Sequence, residues 1–92
     1  MALEVIWSDE ALQQLRTTIE YLENNWPESS VKDFFERLED GLKAIQNNPN
    51  TYKKSLRRPG FREFQVTSHN TIFYTFSKSH INIVSLWSNK KL

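Results

Sequence analysis

Three short runs rich in β-branched and aromatic residues dominate the second half of the chain and restrict what it can fold into. They read Phe61-Arg62-Glu63-Phe64-Gln65-Val66, Thr71-Ile72-Phe73-Tyr74-Thr75-Phe76 and Ile81-Asn82-Ile83-Val84-Ser85-Leu86-Trp87. Such residues favour strands, and the polar breaks at 67–70 and 77–80 suit turns. Connections this short join antiparallel neighbours, so the stretch reads as a three-stranded meander. Alternation places Phe64 and Val66, then Ile72, Tyr74 and Phe76, on one apolar face; on the last strand it allows either Ile81/Ile83 or Val84/Leu86. A sheet with one apolar face needs a cover.

The first half supplies it. Leu3 to Trp7 alternates briefly and reads as an N-terminal strand. Ser8 is placed as an N-cap, with Asp9 and Glu10 in the first turn, where carboxylates favour the helix dipole. Ala11, Leu12, Leu15, Ile19 and Leu22 then recur at helical spacing, a stripe that can be wholly internal. Asn24-Asn25 ends this helix, Trp26-Pro27 marks a corner, and Pro27 suits the opening of the next helix. Val31, Phe34, Phe35, Leu38, Leu42 and Ile45 form a wider stripe, closed by Pro49. Two helices joined by so short a corner make an antiparallel hairpin. The expected order is β-α-α-β-β-β, an α+β domain spanning 1–92, with the first strand joining the later sheet at an edge.

Ninety-two residues, 38% of them hydrophobic and 13% aromatic, describe a folded domain of modest stability. There is no cysteine, which excludes disulfides and thiolate chemistry and is compatible with a reducing cytoplasm. No apolar run approaches membrane-spanning length, and the acidic N-terminal stretch does not read as a signal peptide, so the expected location is cytoplasmic. The net charge of +1 conceals a strong asymmetry: residues 1–40 carry −7, whereas residues 41–92 carry +8 with Glu63 as their one acid. That division suggests two faces with different partners.

The chemistry-bearing candidates are few. His69 and His80 both fall in expected turns without ligand spacing, so no metal and no cofactor is expected. Gly41 and Gly60 form no phosphate loop, and no serine sits in a nucleophile elbow. The strong local signal is basic: Lys53, Lys54, Arg57, Arg58 and Arg62 fall within ten residues, interleaved with Tyr52, Phe61 and Phe64. Cations this dense repel one another unless an anion sits among them, so they are candidates for binding nucleic acid or an acidic partner; the plainer alternative is a solvated face that offsets the acidic helices. Phe73, Tyr74, Phe76 and Trp87 read mainly as core, although Tyr74 is also a candidate for presenting its hydroxyl in a groove.

Taken together, these segments resemble the RelE/ParE toxins of bacterial type II toxin–antitoxin modules. The resemblance rests on the opening strand with Ser8-Asp9-Glu10-Ala11-Leu12, on Ile19-Glu20-Tyr21-Leu22 leading to Asn25-Trp26-Pro27-Glu28, and on Phe34 and Leu38. It continues through Asn48-Pro49, the basic loop, Gly60-Phe61-Arg62-Glu63, Thr71-Ile72-Phe73-Tyr74 and the last strand. It implies a compact toxin neutralised by a cognate antitoxin, commonly an acidic segment that folds on binding. It also implies one of two targets, DNA gyrase for ParE-type members or messenger RNA in the ribosome for RelE-type nucleases. The nuclease pattern is incompletely matched. Its strand arginine falls near Val66-Thr67, where this chain has none. Lys90 or Lys91 can stand for its C-terminal base, but no tyrosine follows before Leu92. His69, Tyr74 and the lysines are substitutes at positions that do not match. The expectation is a ParE-like toxin without nuclease activity; the alternatives are an endoribonuclease using the loop cations, or a non-toxic binding module.

Overall fold

The chain is described by a computed structural model covering residues 3–88. Its elements are β1 (Glu4–Trp7), α1 (Asp9–Asn25), α2 (Glu28–Asn47), β2 (Arg62–Thr67), β3 (Asn70–Phe76) and β4 (His80–Ser88), the expected α+β order. Ser8 caps α1, its hydroxyl accepting from the Ala11 N–H at 3.0 Å while donating to the Val84 carbonyl at 2.8 Å. One side chain thus starts the helix and ties it to the sheet. Trp26 and Pro27 form the whole corner, with Pro27 at the N-cap of α2, where its missing N–H costs nothing.

The four strands form one sheet in the order β1-β4-β3-β2. β2, β3 and β4 are the antiparallel meander, and β1 adds to the outer edge of β4 in parallel, pairing Val5 with Ile81 and Trp7 with Ile83. The alternation left open along β4 is resolved by a bulge. Tyr74 pairs with Ile83 and Phe73 with Ser85, so Val84 is the extra residue. The phase therefore changes at Val84, and Ile81, Ile83 and Leu86 all reach the covered face. Past the end of β1, α1 completes the edge of β4: the Ser8 N–H donates to the Ile83 carbonyl at 3.0 Å, and the Leu86 N–H donates to the Gln14 side-chain oxygen at 2.6 Å.

The core lies between this face and the helices. Ala11, Phe34, Leu38 and Ile45 pack with Phe64, Val66, Ile72, Tyr74, Ile81, Ile83 and Leu86. Gly41 makes the approach of α2 possible, because a Cβ there would lie 2.3 Å from the Phe64 ring. The stripe of α1 is not wholly internal. Only Ala11 is buried, Leu15 and Leu22 are partly covered, and Leu12 is exposed. With Tyr21, Trp26 and Phe35 also exposed, the hairpin carries uncovered apolar area.

Candidate functional site: a basic loop clamped to the open sheet face

Among the described residues no helix lies over the opposite face of the sheet, yet Thr71, Phe73 and Ser85 are buried there outside the main core. Their cover is the basic loop between α2 and β2. Arg58 lies over three rings, 4.5 Å from the Phe61 centroid, 5.5 Å from that of Phe73 and 5.1 Å from that of Trp87. Its guanidinium also donates to the Ser85 hydroxyl at 2.7 Å. Phe73 and Trp87 meet edge to face beneath it at 4.7 Å. A planar, weakly hydrated cation stacks on such rings better than an ammonium would. Arg57 lies 5.5 Å from Phe73 and reaches Glu63 Oε2 and Thr71 Oγ1, both at 3.4 Å.

Glu63 organises the loop. Its side chain is 10% exposed, and Oε1 accepts the Ser55 hydroxyl at 2.7 Å while Oε2 faces Arg57 at 3.4 Å and Lys53 at 3.7 Å. Burial pushes this carboxyl up, but the Ser55 hydroxyl, the Arg57 guanidinium and the Lys53 ammonium outweigh burial and hold it below its ordinary 4.5. Ser55 Oγ in turn accepts the Arg58 N–H at 2.9 Å, and the Ser55 N–H donates to the Phe61 carbonyl at 2.8 Å. Gly60, at φ 95, supplies the left-handed turn that returns the chain to β2.

The other sequence candidates sit elsewhere. Arg62 donates from Nη1 to the Tyr52 carbonyl at 2.7 Å and from Nη2 to Asn50 Oδ1 at 2.9 Å, and lies 5.8 Å from the Phe76 ring. It braces the segment after α2 and is apart from the Arg57–Arg58 cluster. Lys54 is exposed, beside the bridge its backbone makes to Arg62. Tyr74 does not present its hydroxyl in a groove. The residue is 0% exposed, and the hydroxyl donates to the Pro49 carbonyl at 3.0 Å because β3 alternation turns it into the helix-covered core. Burial pushes this phenol up to about 12, against the lowering influence of Arg62. Lys90 and Lys91 lie outside the described residues. His69 occupies the β2–β3 turn, and His80 opens β4 with Nδ1 2.6 Å from the Ser79 hydroxyl. Sequence reasoning missed Glu63, Ser55 and Ser85. The available signal for Glu63 was its isolation: it is the one acid after residue 40, and strand alternation turns it away from Phe64.

A sequence profile described as "ParE toxin of type II toxin-antitoxin system, parDE" matches residues 5–92. The chain belongs to the ParE toxin family. Within the wider RelE/ParE superfamily, its fold is similar to several solved structures. One is the chromosomal ParDE system from P. aeruginosa, with a TM-score of 0.75 at 13% identity, covering 97% of this chain and 98% of that one. Another is the YoeB dimer from Staphylococcus aureus, at 0.63 and 21% identity, covering 92% and 94%. A third is the E. coli DinJ–YafQ toxin–antitoxin complex, at 0.61 and 8% identity, covering 96% and 93%. None of the curated proteins compared with the chain matches it. At these identities the ParE-family fold is what the structural likenesses establish; both named branches of the superfamily share it.

Proposed function

We propose that this ParE-family protein is a cytoplasmic growth inhibitor that binds a protein target, with DNA gyrase the favoured one, and is neutralised by a cognate antitoxin. The observation that carries this reading is the internal engagement of the arginines. Arg57 is held by Glu63 and Thr71, Arg58 by three rings and Ser85, and Arg62 by Tyr52 and Asn50. Cleavage of RNA by general acid–base catalysis needs a positioned donor and acceptor. Tyr74, one candidate for that role, has its hydroxyl bound to Pro49 inside the core. The arginines act as mortar for a rigid surface, which suits recognition of a folded protein. The exposed Leu12, Tyr21, Trp26 and Phe35 offer apolar area for an antitoxin to cover, and the +8 half of the chain favours an acidic one.

The competing reading, ribosome-dependent cleavage of messenger RNA, is favoured by the exposed ammonium groups of Lys53 and Lys54. Inducible expression without antitoxin separates the two. Growth arrest with intact abundant messages by primer extension, together with inhibited supercoiling by purified gyrase, is expected. Cleavage at codon spacing overturns the gyrase reading in favour of the nuclease. Absence of arrest leaves the non-toxic binding module.

A further inference from the structure

The basic loop carries one residue that its charge and its clamp do not explain. Leu56 is 94% exposed, while the next most exposed large apolar side chain among the described residues, Trp26, is at 48%. Leu56 does not sit on a loose segment. Ser55, immediately before it, is fixed through its N–H to the Phe61 carbonyl and through its hydroxyl to Glu63. Arg57 and Arg58, immediately after it, are drawn back onto the sheet, and the Arg58 N–H closes the turn on Ser55 Oγ at 2.9 Å. The backbone on both sides is therefore ordered before any partner arrives, and the leucine projects from it.

An apolar side chain presented by a preordered turn has the character of a binding anchor. Little conformational freedom is lost when such a side chain docks, so more of its burial appears as affinity. The groups around it define the socket. Lys54 precedes it with an exposed side chain, and Lys53 and Arg57, which share the single Glu63 carboxylate, keep much of their own side chains exposed. Apolar centre and cationic rim together call for an apolar hollow rimmed by carboxylates. A nucleic-acid strand fits less well: leucine has no π-face on which a base can stack, and the aromatic Phe73 is sealed beneath Arg57 and Arg58.

We propose that Leu56 is the apolar anchor with which this protein engages its cellular target, a folded protein carrying an acid-rimmed socket of about leucine size. The proposal rests on the reading of the chain as a toxin with a protein target. It locates the target contact on the loop, away from the exposed apolar side chains of the helical hairpin.

The test compares growth arrest on induction of the full chain with that of Leu56→Asp, Leu56→Met and Leu56→Trp. Melting temperature serves as the control for folding, and it should not change at so exposed a position. Leu56→Asp is expected to raise the inducer level for half-maximal arrest on the order of tenfold or more. Leu56→Met, which adapts to a leucine-sized socket, stays near the parent, and Leu56→Trp, which overfills it, weakens arrest. Equal arrest by the parent chain and Leu56→Asp overturns the anchor and leaves the toxin reading intact. Undiminished arrest by Leu56→Trp with cleaved messages overturns it in favour of RNA as the partner. Absence of arrest by the parent chain overturns the toxin reading, and the anchor with it.

Discussion

The Ser55 hydroxyl donates to the Glu63 carboxylate at 2.7 Å, closing the basic loop with a bond between residues eight apart. Because the same hydroxyl accepts the Arg58 N–H, the pair sets the conformation of the turn that presents Leu56 as well as neutralising part of the loop's charge.

Replacing Glu63 with alanine removes the acceptor, leaves the Ser55 hydroxyl without that partner and leaves Arg57 facing Lys53. Losing a buried acceptor of this kind costs about 1–3 kcal/mol, measurable by urea unfolding. Arg57 and Lys53 are substantially exposed, so their share of the attraction is screened. Ser55→Ala is expected to lose a similar amount. The double variant should lose less than the sum of the singles, since both remove one bond.

The same carboxyl predicts an acid limb. Its folded pKa is lowered, so the folded state binds this proton less readily than the unfolded chain does. Its contribution is fully present above the ordinary value of 4.5 and is lost as pH falls through the lower folded value. In Glu63→Gln that limb flattens. Melting temperatures recorded from pH 6 down to about pH 3 should converge for the parent and the variant. A constant gap across this range would mean that the carboxylate charge is not what clamps the loop.

Tyr74 predicts the opposite limb and a clean separation from function. Its phenol is pushed up to about 12 from 10.0, so its contribution is complete below pH 10 and lost as pH rises toward 12. Tyr74→Phe removes the donor to the Pro49 carbonyl, costs about 1 kcal/mol and abolishes that alkaline limb. Growth arrest by the variant should match the parent at temperatures where it is folded. A specific loss of arrest with unchanged stability would restore the tyrosine as a functional group.

Element order was legible because it is written locally, in the Ser8 cap, the Trp26-Pro27 corner, the Pro49 stop and the alternation of β2 and β3. The face of β4 was not. A single inserted residue, Val84, changes its phase, and what stabilises the bulge is Ser8 and Gln14, 70 residues or more away in sequence. The basic loop was legible as a cluster but not as a structure. Repulsion among its cations argued for an external anion, whereas Glu63 and the rings of Phe61, Phe73 and Trp87 absorb much of that charge from within. Two roles are open to Tyr74 in the sequence because a strand pattern says which side a residue faces but not what lies opposite. Leu56 carried no periodic signal, and its exposure depends on where the loop is tied.

The two glycines should respond differently to alanine. At Gly41 the added Cβ would lie 2.3 Å from Phe64 Cε2, and that ring is held against Tyr52 at 5.0 Å, so α2 or the ring must move. A cost of about 1–3 kcal/mol is expected from this overpacking. At Gly60 the space around the Cβ is open and the penalty is conformational, from φ 95, at about 1–2 kcal/mol. Asparagine should recover part of the loss at Gly60, where a left-handed backbone is the difficulty, and none at Gly41.

Arg58 is the position at which charge and shape separate most clearly. Alanine there uncovers Phe73 and Trp87 and removes the donor to Ser85, and should cost about 2 kcal/mol in stability. Lysine keeps the charge but lacks the planar fork that spans three rings and a hydroxyl, so Arg58→Lys should recover less than half of the loss. If retained charge were sufficient, lysine would restore the melting temperature fully. The Ser85→Ala variant supplies the second arm: with the hydroxyl gone, the difference between arginine and lysine at position 58 should shrink but persist, because the stacking on Phe61, Phe73 and Trp87 remains.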